Sequence, residues 1–165
     1  MSKYLTVLCE HFGRRSEMEA TARVLIVVLE AVNGFPRVQV RLQPEIAQHS
    51  TCTDFYFVVQ DQDEKPVLIM KVKRYDISTL IRQQQDATAQ VLREVHIVLT
   101  EDKSVSELPF ILTNSHLWGF GVATREGSKI LVTAISDLVV DLDRVETAGT
   151  LVDKIRSLIQ KGLSQ

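Results

Sequence analysis

The sequence predicts a single α/β domain in which a central mixed β-sheet is flanked by helices, in the order α-β-β-β-α-β-β-β-α. Two long segments and one segment near the end of the chain have apolar residues at helical spacing. Short runs rich in β-branched and aromatic residues lie between them, separated by turn residues. The chain has 165 residues, of which 45% are hydrophobic, and can bury a substantial core. We therefore assign residues 1–165 to one domain.

The first predicted helix covers residues 16–32. Ser16 can cap its N-terminus, and Asn33-Gly34 ends it. Apolar residues recur at helical spacing, and three valines widen the apolar surface beyond one stripe, so we expect a core helix that is covered on more than one side. The stripe consists of Met18, Ala22, Leu25, Leu29 and Val32, and the additional valines are Val24, Val27 and Val28.

Three strands are predicted after Pro36, at residues 38–43, 54–60 and 66–74. The polar segment 61–65 is predicted to be a hairpin loop, so the three strands form an antiparallel meander, and its last two strands lie in the middle of the sheet. Alternation along the third strand separates two faces. Leu68, Met70 and Val72 share one face, and Val67, Ile69, Lys71 and Lys73 share the other.

Residues 77–99 predict a helix that covers this sheet, because their apolar side chains recur with a period near 3.6. Gln84 lies at the centre of the apolar stripe when residues are placed about 100° apart, so its side chain is expected to point inward. A buried amide must find hydrogen-bond partners, either in a site or in the backbone. The stripe consists of Ile77, Leu80, Ile81, Thr88, Val91, Val95 and Val98.

Three further strands complete a mixed sheet, at residues 109–113, 117–124 and 129–134. Trp118 and Phe120 share one face of the second of these strands and are expected in the core. After the last strand, Ser136 is predicted to begin a short helical turn. A closing helix is then predicted to begin at Thr150, with Gly162 beyond its end. Its apolar side consists of Leu151, Ile155, Leu158 and Ile159.

Composition and charge argue against several classes of function. The formal net charge of -2 provides no long-range attraction for phosphate groups, so a nucleic-acid contact would need a local basic cluster. The longest apolar run, residues 24–29, is far shorter than the roughly 20 residues of a membrane span, so no membrane partner is expected. Cys9 and Cys52 have neither metal-ligand spacing nor the density of a disulfide scaffold, which favours an intracellular protein, cytoplasmic or nuclear.

The basic end of the third strand is the strongest candidate for a site. Lys71 and Lys73 are neighbours on one face, and Arg74 follows them. Asp54 begins the second strand and is expected across the hairpin from the same end, so that a carboxylate and two ammonium groups can converge. The other interpretation is a strand end that only meets solvent, with Asp54 capping a local turn.

This arrangement resembles the PD-(D/E)XK nuclease fold. Within that fold it is similar to the restriction-endonuclease-like domains at the start of type I restriction motor subunits and in Crinkler-type eukaryotic effectors. The similar order of helix, three strands, helix and further strands covers nearly the whole chain. In that family, an acid on the second strand, together with an acid and a lysine on the third, binds a divalent metal ion and activates water for phosphodiester cleavage.

The resemblance implies roles for particular residues of this chain. Asp54 matches the first acid, Lys73 matches the lysine, and Gln84 matches a glutamine on the helix that follows. Glu19 is the weakest match, to a glutamate that family members often add on the first helix as a metal ligand. Lys71 stands where the second acid belongs, and its ammonium group offers a divalent cation no oxygen ligand.

We therefore predict a restriction-endonuclease-like domain that is catalytically degenerate and needs no cofactor. Its former active-site pocket is expected to bind nucleic acid through Lys71, Lys73 and Arg74, or to bind a protein partner. It could act within a larger intracellular system or as part of a longer multidomain chain.

Two alternatives stay open at this stage. One is an active nuclease that uses Mg²⁺ with Asp54, Lys73 and Gln84. It would need an unconventional acid such as Glu19 or Glu64 in place of the second family acid. The other alternative is a pure protein–protein interaction module, in which the pocket has only a packing role.

Overall fold

The helices and strands follow the predicted order. A computed structural model describes residues 17–44, 55–72, 80–139 and 144–165, with side chains described within 21–41, 58–72, 91–133 and 144–165. The helices in these residues are α1 (Glu17–Val32), α2 (Leu80–Glu101) and α3 (Val145–Leu163). The strands are β1 (Gln39–Pro44), β2 (Phe55–Gln60), β3 (Pro66–Val72), β4 (Glu107–Thr113), β5 (Leu117–Glu126) and β6 (Lys129–Val139). None of these helices has both the length and the apolar character that crossing a bilayer requires.

The described strands form one open sheet in chain order, β1-β2-β3-β4-β5-β6. Neighbouring strands are antiparallel except β3 and β4, which are parallel and are connected through α2. Parallel neighbours need a crossover connection, which is usually a helix. The fold is therefore α/β with a mixed six-stranded sheet, as the sequence predicts, and β3 lies in its middle.

Helices cover both faces of the sheet. Side chains of α1 and α3 share one hydrophobic cluster with Leu68, Met70 and Trp118 of the sheet. Side chains of α2 form a second cluster with Ile69 and Phe110. Because alternate residues of β3 enter opposite clusters, this strand is buried on both faces, as is usual for a strand in a parallel pair. The predicted core position of Trp118 is confirmed.

The first helix agrees with its prediction in extent and in burial. Val24, Val27 and Val28 are all fully buried, which confirms that more than one side of α1 is covered. Leu29, predicted to be in the apolar stripe, is instead 49% exposed. The packing of α3 against α1 selects the side that carries the three valines, so one edge of the predicted stripe is left in solvent.

The faces of β3 match the predicted alternation except at its first residues. Val67 was predicted to lie with Ile69, but it packs in the cluster of α1 and α3. Val59 of β2 pairs with Leu68 and Gln60 pairs with Pro66, so Val67 is an extra residue in β3 at this level. Such an irregularity interrupts strict alternation, which explains the difference.

The prediction of a helical turn at Ser136 is wrong, because this residue lies in β6 opposite Phe120. β5 provides antiparallel partners for β6 on both sides of Ile135, and these partners extend the strand past the predicted end. Ile135 is an extra residue in the pairing, since Phe120 is opposite Ser136 while Gly121 is opposite Ala134. The position of the predicted turn therefore coincides with a bulge inside a continuous strand.

The last helix is longer than predicted at both ends. α3 begins at Val145 rather than Thr150, and Gly162 lies inside it rather than beyond it. At the N-terminal end, Ala148 is buried and donates its backbone N–H to the carbonyl of Arg144, so packing forms the first turn without a side-chain cap. At the other end, Gly162 packs closely on β3, because a Cβ atom at this position would overlap the carbonyl group of Val67.

Candidate functional site

Lys71 is buried in the centre of the sheet. Its exposed fraction is 1%, and its Cα partners are Tyr56 of β2 and Leu112 of β4. It shares a strand face with Ile69, which packs against α2. For Lys71, the prediction of a strand end that meets solvent is therefore wrong. A lysine held inside the domain by strands on both sides is a feature that core packing alone does not require.

The site around Lys71 lies where the two parallel strands end. Val72, the last residue of β3, is the partner of Thr113, the last residue of β4. The carboxyl ends of parallel strands in open α/β sheets are the usual position of ligand sites. Lys71 and the turn after β4 therefore form one candidate site at this edge.

The turn after β4 is polar, buried and tightly hydrogen bonded. Asn114 Oδ1 accepts hydrogen bonds from the backbone N–H of His116 at 3.0 Å and of Leu117 at 2.7 Å. Thr113 Oγ1 accepts one from the N–H of Ser115 at 3.0 Å. Thr113, Asn114 and Ser115 are all buried, and Ser115 has a left-handed φ of 76°. The sequence separates the predicted strands 109–113 and 117–124 by the turn residues Asn114-Ser115, but it does not indicate that this turn is buried beside β3.

A buried acid of α2 was missed by the sequence analysis. Glu94 is 2% exposed and lies on the helix face that packs on the sheet, between Val91 and Val95 of the same cluster. The face that Lys71 shares with Ile69 borders the same layer. The signal was present in the sequence, because position 94 follows Val91 by three residues and precedes Val98 by four, which is the spacing of one helix face.

For most of the predicted site residues, the side chains lie outside the described part of the chain. Asp54, Lys73 and Arg74 lie outside the described residues. Glu19 lies on α1 and Gln84 on α2, but both side chains are outside the described part, so the predicted inward orientation of Gln84 stays a prediction.

Glu64 and Lys71 are the predicted site residues whose side chains are described, and they lie far apart. Glu64 is in the hairpin loop before β3, with a left-handed φ of 61°, and its carboxylate pairs with Arg41 at 2.6 Å. Lys71 is near the other end of the seven-residue strand. Glu64 is therefore not brought to the candidate site, and the nuclease alternative loses that acid.

The described residues do not fit a divalent metal ion at this edge. Mg²⁺ and Ca²⁺ are bound by several oxygen ligands, whereas the ammonium of Lys71 has three donors and no acceptor. Within the described residues, no three His, Cys, Asp or Glu side chains are grouped as metal ligands. What the arrangement can provide is a fixed positive charge beside a polar turn.

A surface cleft of about 180 Å³ lies elsewhere, between the end of α1 and the side of α3. Val145, Ala148 and Val152 provide its apolar lining, and Glu30 and Arg156 are also at its border. Ala148 and Val152 belong to the cluster on the opposite side of the sheet from Lys71. This cleft is therefore separate from the candidate site.

Comparison of the chain with protein-family models, with curated proteins and with solved structures finds no match.

Proposed function

We propose that this domain is a catalytically degenerate member of the PD-(D/E)XK nuclease fold that binds nucleic acid or a protein partner. The observation that carries the proposal is the 1% exposure of Lys71 beside the carboxyl ends of β3 and β4. An active member would hold a metal-binding acid at this position. Here a cation is held inside the domain in its place.

The electrostatic argument follows from burial. Removing an ammonium group from water costs several kcal/mol unless negative or hydrogen-bonding groups surround it. A positive charge at Lys71 can therefore balance the acids of a former metal site, as the metal ion would. Asp54 is the acid that the resemblance assigns, and it precedes Tyr56, the partner of Lys71, by two residues in the chain.

The burial of Lys71 gives it a different proposed role from that of Lys73 and Arg74. A side chain that is 1% exposed has no surface to offer a phosphate group, so Lys71 acts as an internal charge. Phosphate contacts then fall to Lys73 and Arg74, which follow it in the sequence. This arrangement binds a phosphodiester without activating water to hydrolyse it.

The first experiment incubates the protein with DNA and RNA in the presence of Mg²⁺ or Mn²⁺. We expect no cleavage. Cleavage that is lost in Asp54→Ala would overturn the degenerate assignment and favour the active nuclease.

The second experiment restores the missing acid. Lys71→Glu should bind Mn²⁺ in calorimetry while the parent does not, because the substitution replaces a charge that repels the ion with an oxygen ligand. Lys65→Glu is the matched control, since Lys65 precedes the same strand at its other end. Equal Mn²⁺ binding by the two variants, or no binding by a folded Lys71→Glu variant, would count against the proposal that the charge of Lys71 takes the place of a metal ion.

The third experiment separates nucleic-acid binding from protein binding. Affinity for single- and double-stranded nucleic acid is measured between about 50 and 200 mM salt, where phosphate contacts weaken steeply. We expect Lys73→Ala and Arg74→Ala to reduce both the affinity and its salt dependence, and Lys103→Ala, an exposed control, to change neither. Weak nucleic-acid binding that none of the three substitutions changes would favour the alternative of a protein–protein interaction module.

A further inference from the structure

One edge of the described sheet is formed by a long, largely apolar strand that is exposed where its side chains are described. β6 is the outermost strand at one end of the described sheet and is 11 residues long. Leu131 and Val132, whose side chains lie on opposite faces of the strand, are 46% and 47% exposed. Its charged residues are Lys129 and Asp137, near the two ends, and it contains no proline. Such an edge is a template for pairing with another strand.

The opposite edge of the described sheet is protected. β1 has 6 residues and ends at Pro44, which cannot donate a backbone hydrogen bond. Its Arg41 is charged and pairs with Glu64. Short length, charge and proline are the features by which natural sheets prevent edge-to-edge pairing. The contrast leaves β6 as the edge that can accept a strand.

We propose that β6 pairs antiparallel with β6 of a second copy of this chain, joining the two sheets about a two-fold axis near Val132. The strand has a positive end at Lys129 and a negative end at Asp137. Antiparallel pairing brings each positive end toward the negative end of the other copy, whereas parallel pairing brings like charges together. In the antiparallel arrangement, Lys129 and Asp137 therefore attract each other as oppositely charged residues at the adjoining strand ends of the two copies.

The geometry also limits the assembly to two copies. An isologous contact uses the same surface on both subunits and closes on itself. After β6 has paired, the outer edges of the joined sheet are the two β1 strands, which are protected. Among the described side chains of β6, Leu131 and Val132 are the exposed large apolar ones, so the contact consists mainly of one strand edge per copy and lies below the roughly 1,200 Å² of a standard stable interface. The dimer therefore dissociates on dilution.

Sedimentation velocity of the full chain across a wide concentration range tests this proposal. We expect a reversible monomer–dimer equilibrium. Leu131→Lys and Val132→Lys should each abolish the dimer, because they place charges at the paired edge close to their copies in the partner. Leu29→Lys is the matched control, since Leu29 is 49% exposed on α1, and it should leave the dimer intact.

A charge exchange tests the antiparallel direction. Lys129→Glu and Asp137→Lys should each weaken the dimer several-fold, and an equimolar mixture of the two variants should recover it as a heterodimer. A chain that is monomeric at all concentrations overturns the proposal. A dimer that survives Leu131→Lys and Val132→Lys, or one that Leu29→Lys disrupts, places the contact elsewhere and also overturns it. Circular dichroism of every variant checks that the fold is retained.

Discussion

Gly162 of α3 lies directly against the main chain of Val67 in β3. A Cβ atom at Gly162 would overlap the Val67 carbonyl group and would lie 3.0 Å from the Val67 Cα. The helix and the central strand therefore approach each other more closely than any side chain permits. This contact explains why a residue that usually ends helices lies inside α3.

Two glycine substitutions in α3 should change stability in opposite directions. Gly162→Ala should lower the free energy of unfolding by about 1–3 kcal/mol or more, because the overlapping group is backbone and cannot rotate away. Gly149→Ala should raise it by up to about 1 kcal/mol, since no atom lies within 4 Å of its Cβ position and alanine favours a helix. Urea unfolding followed by fluorescence of Trp118, the single tryptophan, measures both. Equal changes in unfolding free energy for the two variants would contradict the close approach of Gly162 to the main chain of Val67.

Arg125 of β5 stabilises the end of α2, whose last turn has no basic residue. Its Nη1 donates to the carbonyl of Leu99 at 2.7 Å, and its Nη2 donates to that of Lys103 at 2.7 Å. Arg125→Ala should therefore cost about 1–2 kcal/mol of unfolding free energy, through lost hydrogen bonds and a lost cation at a helix C-terminus. Arg93→Ala, at an exposed position of α2, is the control and should have little effect.

Asp102 should make stability depend on pH in the acid range. Hydrogen bonds to its carboxylate from the hydroxyl of Ser104 at 2.6 Å and from the backbone N–H of Ser104 at 2.9 Å hold the pKa below its ordinary 3.8, although partial burial opposes them. A lowered folded pKa adds stability that is fully present above the unfolded value and is lost as pH falls through the folded value. The stability lost in Asp102→Asn should thus shrink below about pH 3.8.

Ser104→Ala provides a matched test of the cause. It removes the hydroxyl donor and keeps the backbone one, so the pKa of Asp102 should rise toward its ordinary value. Titration of the Asp102 carboxyl carbon by NMR measures this shift directly. An unchanged titration in Ser104→Ala would assign the lowered pKa to another group.

The sequence predicts the order of helices and strands well because that order depends on local periodicity. Each of β3 and β4 contains a continuous apolar run, at residues 66–70 and 108–112, as expected for strands buried on both faces. The errors occur where tertiary contacts override local preference. Pairing with β5 carries β6 through Ser136, and packing on Val67 retains Gly162 inside α3.

The candidate site was predictable in position but not in burial. Alternation put Lys71 near the end of a central strand, yet a lysine at a strand end is usually solvated, and periodicity does not report what covers it. Glu94 has helical core spacing, but its charge favours an exposed position, because charged residues are rarely buried. The burial of these two residues depends on how α2 sits on the sheet, which is a long-range property.

Lys71 and Glu94, which are 1% and 2% exposed, border the layer between β3 and α2, and we expect their charges to balance each other there. Removing one charge of a buried pair leaves the other uncompensated, which typically costs about 3–5 kcal/mol, whereas removing both costs far less. Lys71→Met and Glu94→Gln should therefore each destabilise strongly, and the double variant should cost at least about 1 kcal/mol less than the sum. Urea unfolding of the four proteins measures this coupling. Glu101→Gln, at an exposed position of the same helix, replaces Glu94→Gln in the control cycle and should show none. Additive losses in the first cycle would mean that Lys71 is balanced by other acids, such as Asp54, and that Glu94 has a separate role.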